Sequence, residues 1–362
     1  MKTEELKLKI NDIEIAGWQS VRVTQGIERM PSDFDLLITD QSPLTEQQIA
    51  RPGDPCEVYL GGDKVITGYI DRKSSTLAVS QHGVQVSGRG KCQDLVDCSA
   101  DYGSNVINDV TALSLARNLA LAHGIEVRTN IGGFETVPQF TINWGESSQE
   151  IIERACRWAG VLYYDLPDGN LYLTRVGTDI AASGVAQGVN IQNAEYSESV
   201  DQRFSEYVGV SMGVSATYSL TANSSYDNVL LATARDPEMG RLRGRKHISI
   251  VESTLIQKNL AQTAMDWEMN RRYGRSKVLK VKVDSWRDSS GALWTPNTLI
   301  PINLPVFELQ NIQWILSEVT FSRDDKEGTT AQLILMPPEA FTVQPYEFYA
   351  DILKGPGSVQ RN

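Results

Sequence analysis

Few of the residues that build metal sites and disulfide frameworks are present in this sequence. Its 362 residues include four cysteines and three histidines. Cys92 and Cys98 are too far apart for a Cys-x-x-Cys pair, and the histidines are widely scattered, so the sequence favours neither a zinc site nor a disulfide framework. We therefore expect free, buried thiols and no metal or cofactor.

Long apolar runs are missing as well. No stretch reaches the roughly 18 apolar residues that span a bilayer, and no apolar segment follows the charged start, Met1 to Glu5. The sequence thus predicts no signal peptide and no integral membrane association. We expect a protein that is made in the cytoplasm.

Basic residues are outnumbered by acidic ones. The chain has 34 Lys and Arg against 45 Asp and Glu, a formal net charge of −11. This balance argues against sequence-specific DNA binding, which depends on neutralising phosphates. The basic side chains concentrate in one region, at Arg241, Arg243, Arg245 and Lys246. This run is either a mobile basic loop or a contact for an acidic partner.

The first part of the chain has the alternating pattern of β-strands. Apolar and polar residues alternate, for example at Leu6, Leu8 and Ile10, and turn residues such as Gly61-Gly62-Asp63 separate the segments. Many short strands joined by such turns favour a small antiparallel barrel or sandwich. The sequence predicts a first β-barrel domain over residues 1–91.

The period of the apolar residues changes after residue 91. One helix is predicted over residues 111–123. A second helix begins at Ser147, where Glu150 has the spacing of a capping box, and ends at Gly160. With the hairpin that follows, these elements predict a small α+β domain over residues 92–190.

Alternation returns in residues 191–340, interrupted by a long helix that is predicted over residues 253–273 and closed by Gly274. A weak internal repeat relates the turn at Pro52 to the turn at Pro296, an offset of 244 residues. We expect a second β-barrel domain similar to the first. The predicted fold is mainly β with α+β parts.

One motif is specific enough to test for catalysis. Residues 209–213 fit the Gly-x-Ser-x-Gly pattern of α/β-hydrolases, with Ser211 as nucleophile, and Asp227 or Asp236 followed by His247 would complete the order of a triad. That mechanism needs a strand-to-helix turn, whereas the next residues are β-branched and polar without a helical stripe. The sequence therefore favours a plain strand.

A second possibility is a carbohydrate site beside an acidic helix. Three glutamates at helical spacing lie close in sequence to four aromatic residues: Glu146, Glu150, Glu153, Trp144, Trp158, Tyr163 and Tyr164. Two carboxylates across a sugar would suit a glycosidase, but a solvated acidic helix face over an aromatic core is the simpler interpretation. No residue is assigned a catalytic role, so a binding or structural protein is predicted.

Several stretches are distinctive in their order and spacing. They are Gly-Tyr-Ile-Asp at 68–71, Gly-Arg-Gly-Lys at 88–91 with Asp-Leu-Val-Asp-Cys at 94–98, Asp-Gln-Arg-Phe-Ser-Glu-Tyr at 201–207, Arg-Arg-Tyr at 271–273 and Gly-Ala-Leu-Trp-Thr-Pro-Asn at 291–297. Over about residues 5–340 the chain resembles the baseplate hub proteins of phage Mu, the products of late gene P. It also resembles, more distantly, the hubs of contractile tails and of type VI secretion spikes.

The resemblance implies a homotrimer in which each subunit contributes two similar barrels to a ring. Such a ring would join the sixfold tail tube to the trimeric spike and leave a channel for DNA. It would be a structural component of a Mu-like prophage tail baseplate, assembled in the bacterial cytoplasm with spike, tube and other baseplate proteins, and without catalytic residues. A tail-associated hydrolase of peptidoglycan or esters and a carbohydrate-binding adhesin stay open as alternatives.

The C-terminal tail, residues 341–362, is unusually apolar for a free tail. Five large apolar residues lie close together before Gly355: Tyr346, Phe348, Tyr349, Ile352 and Leu353. Each contributes roughly 1.5–3 kcal/mol when buried. The cluster is predicted to contact a neighbouring subunit or the spike, or else to cover the end of its own barrel.

Overall fold

The computed structural model describes residues 4–11, 13–39, 50–78, 81–134, 136–211, 230–251 and 258–342. These residues form a mainly β fold, as predicted, with four α-helices, of which the short α1 was not predicted. The strands are β1 (Leu6–Ile10), β2 (Ile13–Ile15), β3 (Ser20–Gly26), β4 (Asp33–Thr39), β5 (Pro55–Leu60), β6 (Asp63–Ala78), β7 (Gln81–Gly90), β8 (Val106–Thr111), β9 (Val127–Thr129), β10 (Thr136–Thr141), β11 (Leu162–Asp165), β12 (Leu171–Thr174), β13 (Val185–Ala186), β14 (Ile191–Glu198), β15 (Glu206–Ser211), β16 (Leu230–Arg235), β17 (Lys246–Val251), β18 (Lys277–Val283), β19 (Leu299–Leu304), β20 (Leu309–Asp324) and β21 (Gly328–Met336). The helices are α1 (Gln93–Asp97), α2 (Ala112–Leu121), α3 (Ser148–Ala159) and α4 (Lys258–Arg275).

One sheet of 13 strands combines early and late segments of the described chain. Its order is β14-β18-β21-β20-β3-β4-β7-β6-β5-β1-β2, with β19 beside the first part of β20 and β13 beside β19. The predicted closed barrels are wrong for the described residues, where every sheet is open. Alternation and turns predict strands and hairpins, but they do not predict which edges meet. Here the edge of β3 pairs with β20, in a distant part of the chain.

The sheet consists of two similar halves. The first half-sheet (β1–β7) has the order β3-β4-β7-β6-β5-β1, with the short β2 added beyond β1, and the second half-sheet (β13, β14 and β18–β21) has the order β14-β18-β21-β20-β19-β13. The last pair differs in direction, since β1 is antiparallel to β5 whereas β13 is parallel to β19. The long strands β6 and β20 have 16 residues each. Each has a register shift at the matching place, between Ile70 and Arg72 and between Leu316 and Glu318. This agreement confirms the predicted internal repeat.

The same hydrogen-bonded corner occurs in both halves. The Gly53 N–H donates to the Ile70 carbonyl at 2.8 Å, and the Asn297 N–H donates to the Leu316 carbonyl at 2.9 Å. Gly53 and Asn297 both have positive φ, 94° and 67°, which glycine and asparagine adopt at the lowest cost. The two corners are 244 residues apart, the offset predicted from the sequence.

A single apolar core lies on the sheet and includes residues of both halves. Phe34 comes from the first half-sheet, whereas Phe321 and the fully buried Trp286 come from the region of the second. The rings of Trp286 and Phe321 meet edge to face, with centroids 6.4 Å apart. Because the halves share this core, they stabilise one another.

The α+β unit (residues 92–175) packs its helices α2 and α3 around a separate core. As predicted, Ser147 and Glu150 form a reciprocal capping box at the start of α3, and Gly160 ends that helix in the left-handed conformation. Of the four cysteines, three are buried as predicted, but Cys98 is exposed, because it follows the short helix α1 at the surface of the unit.

An inserted unit (residues 199–276) separates β14 from β18, which are neighbours in the sheet. It holds the three-stranded sheet β16-β15-β17 and helix α4. The prediction that Gly274 closes the helix is wrong, because Gly274 lies inside α4. Its lack of a side chain allows a close contact instead: a Cβ there would overlap the backbone of Ala340, with 2.8 Å to its Cα. The predicted start of the helix lies outside the described residues. No helix in the described parts of the chain is long and apolar enough to cross a bilayer.

Candidate functional site

The structure does not assemble the triad around Ser211 from the described residues. Strands β15 and β17 are parallel, with Tyr207 opposite His247 and Ser211 opposite Val251. His247 lies four residues before Val251, the residue opposite Ser211, and is therefore displaced from Ser211 by about 13 Å along the strand direction. Asp236 is bound to an arginine, and Asp227 lies outside the described residues. The predicted plain strand is confirmed up to Ser211, and the residues that follow, 212–229, lie outside the described residues.

The three glutamates of the acidic helix each have a structural partner. Glu146 binds Arg154 at 2.7 Å, Glu150 caps α3, and Glu153 binds Arg157 at 2.6 Å. Burial alone would raise the pKa of Glu146, but hydrogen bonds from Asn143 and Arg154 outweigh it and lower the pKa. A glycosidase acid needs the opposite shift.

The aromatic residues near this helix do not form one platform. Trp144 is exposed, whereas Tyr163 is half-buried and its hydroxyl is a hydrogen-bond partner of Gln149. The Tyr164 hydroxyl accepts from Asn297 at 3.3 Å, on the side of the second half-sheet. For Trp158 only the helical backbone is described. These positions favour the acidic-face interpretation over a sugar site.

A buried ion cluster lies at the base of the inserted unit. Arg203 is 1% exposed, and its guanidinium donates to both carboxylate oxygens of Asp236 at 2.6 and 3.0 Å. It also donates to Glu238 at 3.2 Å and lies over the Tyr273 ring, 4.9 Å from the centroid. Lys277, at the start of β18, completes the cluster by binding Glu238 at 2.9 Å. The cluster thus ties the inserted unit to the second half-sheet.

Sequence reasoning missed this cluster. Arg203 lies in the distinctive stretch 201–207, but no local pattern shows that its side chain is buried. The basic run nearby is also partly anchored. Arg245 donates to the carbonyl of Asp201 at 2.7 Å and stacks on Phe204, and Lys246 binds Glu206 at 3.0 Å. At these two positions the run is fixed to its own unit.

The seam between the halves, the antiparallel pairing of β3 with β20, is the feature most suited to a scaffold. Residues 21–26 pair with residues 318–323. The hydroxyls of Thr24 and Thr320 lie 3.2 Å apart across it, and Arg29 approaches Glu318 at 3.5 Å. The seam therefore combines a backbone ladder with side-chain pairs, an arrangement that holds two similar sheets in a fixed relation.

A second junction joins the first half-sheet to the α+β unit. The buried carboxylate of Asp165 accepts the Ser32 N–H at 3.0 and 3.1 Å and the Ser32 hydroxyl at 3.0 Å. Gly90 leaves room for it, because a Cβ there would lie 2.6 Å from Asp165 Oδ2. Burial raises the pKa of Asp165 to about 6, although the hydrogen bonds from Ser32 act against the rise.

This shift predicts a pH dependence. Folding raises the pKa of Asp165 from 3.8 to about 6, so the folded chain binds this proton more tightly than the unfolded chain. The contribution to stability is complete below about pH 4 and is lost as the pH rises to about 6, a change of about 3 kcal/mol. In Asp165→Asn the side chain stays neutral. Urea unfolding at several pH values should show the wild type losing this stability relative to the variant.

The matched control is Asp97→Asn. A hydrogen bond from Arg89 is the main cause that lowers the pKa of Asp97, so that carboxylate stabilises the fold above its unfolded pKa and loses the effect as the pH falls. The two variants should therefore differ from the wild type in opposite directions with pH. Parallel pH profiles for wild type and Asp165→Asn would contradict the prediction.

No group of three or more His, Cys, Asp or Glu side chains in the described ranges has an arrangement that could hold a metal ion. The described site is thus one of structural junctions: the seam, the Asp165 junction and the Arg203 cluster. Their chemistry is that of hydrogen bonds and ion pairs, which fix the two half-sheets, the α+β unit and the inserted unit against each other.

Family models of Mu phage baseplate proteins match three parts of the chain. Residues 5–90 match the N-terminal part of the GpP-like baseplate assembly protein, residues 92–175 the second domain of gp44-like baseplate hub proteins, and residues 257–344 the fourth domain of GpP. The baseplate hub protein gp44 of Escherichia phage Mu is 30% identical over 337 residues, which cover 90% of this chain and 86% of gp44. The chain belongs to the Mu baseplate hub protein family. The predicted role as a structural baseplate hub is confirmed.

Solved structures agree with this hub fold. The 43 kDa tail protein of prophage MuSo2 from Shewanella oneidensis is 29% identical, with a TM-score of 0.81 and coverage of 94% of this chain and 100% of that one. A tail protein from Neisseria meningitidis has 19% identity and a TM-score of 0.74, covering 95% and 99%. The E. coli type VI secretion component c3393, at 10% identity, has a TM-score of 0.59 and covers 94% and 79%. The last two show a likeness of fold.

Proposed function

We propose that this hub protein acts as a non-catalytic ring of three copies between the sixfold tail tube and the trimeric spike. The observation that supports this most directly is the internal repeat. Each chain carries two half-sheets of the same strand order, so three chains present six similar units with only threefold symmetry. Such a ring can meet a sixfold neighbour on one side and a threefold neighbour on the other.

Passage of DNA through the ring is part of the proposal. The net charge of −11 suits such a channel, because acidic walls would repel the phosphate backbone and would not hold the passing DNA. The predicted division into residues 1–91, 92–190, 191–340 and 341–362 stays a proposal of the same kind. Assembly in the host cytoplasm and contacts with spike, tube and other baseplate proteins belong to it as well.

The lack of catalysis is also a proposal, and it has support from the site. Asp236 is occupied by Arg203, and the glutamates around α3 hold caps and ion pairs. Asp236 and these glutamates thus each have a structural role. Labelling with a serine-reactive fluorophosphonate is expected to leave Ser211 unmodified.

The mass in solution tests the ring. Three chains of 40.1 kDa should give a particle of about 120 kDa by light scattering, and class averages from negative-stain microscopy should show an open centre. A chain that stays at the mass of one subunit at high micromolar concentration would contradict the proposal.

A shortened chain tests the proposed role of the apolar cluster at Tyr346, Phe348, Tyr349, Ile352 and Leu353, all of which lie outside the described residues. Since Phe341 is fully buried, the chain should end after Thr342. We expect this chain to keep its melting temperature and to form a weaker trimer or spike complex. Unchanged assembly with a lower melting temperature would show that the cluster covers its own subunit instead.

A further inference from the structure

Among the strand edges of the 13-stranded sheet that have no described strand beside them, two lie on longer strands, β14 and β6, whereas the others include those of the short strands β2 and β13. β14 is the last strand at one end of the sheet and pairs only with β18 among the described residues. On β6, the partner β5 ends opposite Tyr69, and beyond that point the described residues place no strand on that edge. Open strand edges are a risk for aggregation that proteins normally manage by pairing or covering them.

The internal repeat shows what normally lies on such an edge. In the second half-sheet, the matching edge of β20 beyond β19 is occupied by β3, which forms the seam. In the strand order of the two halves, β20 corresponds to β6 and β3 corresponds to β14. Thus the two open edges are the counterparts of the two edges that already pair inside the chain.

The correspondence can be made residue by residue along one row of the sheet. Val23, Phe34, Gly88 and Ile70 lie opposite one another in that order across four strands of the first half. The row of the second half is Tyr196, Leu279, Leu335 and Leu316. Val23 therefore corresponds to Tyr196, and Ile70 to Leu316.

We propose that β14 of one copy pairs antiparallel with the second part of β6 of the next copy, in the register of the seam. The proposal rests on the proposed ring and specifies its subunit contact. In the seam Thr24 is opposite Thr320. The same register places Ser197 of one copy opposite Ser74 of the next, so these hydroxyls take the place of the threonine pair.

The side chains of the two edges are complementary. The β6 segment begins with Arg72 and Lys73, and the β14 segment carries Glu195 and Glu198. The proposed register sets Lys73 opposite Glu198. Both segments are largely exposed in the single chain, and Leu77 at the end of the β6 segment is 84% exposed. Contact with β14 of a neighbouring copy would cover it.

The two edges differ from each other, so the contact is head to tail. Each copy uses β14 toward one neighbour and β6 toward the other, and such a contact forms a closed ring when the rotation between copies allows it. In a ring of three copies, the seam between β3 and β20 inside each chain would alternate with the proposed pairing of β14 and β6 between neighbouring chains. All six junctions would then have one pattern of backbone pairing.

A disulfide across the proposed contact tests it. In a Cys98→Ser background, which removes the exposed native thiol, the double variant Ser74→Cys/Ser197→Cys is oxidised in the full chain. Opposite residues on antiparallel strands have Cα distances of about 4.5–5.5 Å, within the range of disulfides. We expect most chains to run as covalent trimers on a non-reducing gel and as monomers after reduction.

Three controls define the result. Each single cysteine variant should give no covalent trimer. The pair Ser74→Cys/Asn193→Cys, displaced by four residues along β14, should give far less. The pair Thr24→Cys/Thr320→Cys, across the seam inside one chain, should form an intrachain disulfide without linking copies. Light scattering of each variant before oxidation gives its mass.

The outcomes separate this inference from the proposed function. A trimer by mass without a Ser74–Ser197 cross-link would overturn the contact and leave the ring intact. Equal cross-linking of the displaced pair would overturn the register and with it the inference. Monomers at all concentrations would overturn both proposals. Covalent trimers limited to the matched pair would support the contact.

Discussion

Replacing Arg203 by alanine is expected to lower the free energy of unfolding by about 3–5 kcal/mol. The change leaves the Asp236 carboxylate, with a side chain that is 0% exposed, buried without the guanidinium that binds both its oxygens. Breaking one partner of a buried pair has a cost of this size because the remaining charge is uncompensated. Urea unfolding at one fixed protein concentration measures the effect.

The control is Arg128→Ala, which also removes an arginine that binds two carboxylates. Arg128 is largely exposed and pairs with Glu126 and Asp168 at the surface, so its loss should have an effect of about 1 kcal/mol or less. The double variant Arg203→Ala/Asp236→Ala should recover part of the lost stability. Equal effects for the two arginines would show that the Arg203 cluster does not hold the inserted unit.

Alanine at Gly88 is expected to lower the free energy of unfolding by about 3 kcal/mol, at the upper end of the range for overpacking. A Cβ at this position would overlap the carbonyl oxygen of Tyr69 and lie 2.7 Å from Phe34 Cζ. The first obstacle is backbone of the adjacent strand β6, and the second is a buried ring, so neither can move freely. Thermal and urea unfolding both report the loss.

Gly62→Ala is the matched control for this change. It lies in the β5–β6 turn of the same half-sheet, and a Cβ there would have no heavy atom within 4 Å. Its stability should stay close to that of the wild type. If Gly88→Ala were equally stable, the close approach of β6 and β7 would not be the reason for glycine in the stretch 88–91.

The sequence was most informative where the signal is local. The capping box of Ser147 and Glu150 and the left-handed Gly160 predicted helix α3 to within a residue, because these features act within one turn of the chain. The repeat at an offset of 244 was also visible, because the corner needs residues that tolerate positive φ at Gly53 and Asn297. Both predictions depend on backbone geometry more than on tertiary contacts.

Long-range pairing gave no such signal. β3 and β20 have ordinary alternating patterns of apolar and polar residues. Neither pattern indicates that these two strands pair with each other; each could equally have paired with a strand of its own half. Gly274 was misjudged for a related reason, since its small size serves a contact with Ala340 and not the end of a helix. Arg203 was missed because an arginine becomes a core residue only when its acidic partners are brought to it by the fold.

The two strands of the seam are far apart in sequence, so the seam can form only late in the synthesis of the chain. Thr24 emerges from the ribosome 296 residues before Thr320, so the edge of β3 stays open until the last strands are made. Every chain that stops before β20 therefore has an unpaired β3 edge that pairing with β20 covers in the folded protein. Closure of the seam thus distinguishes chains that contain β20 from shorter fragments, before a hub joins a particle.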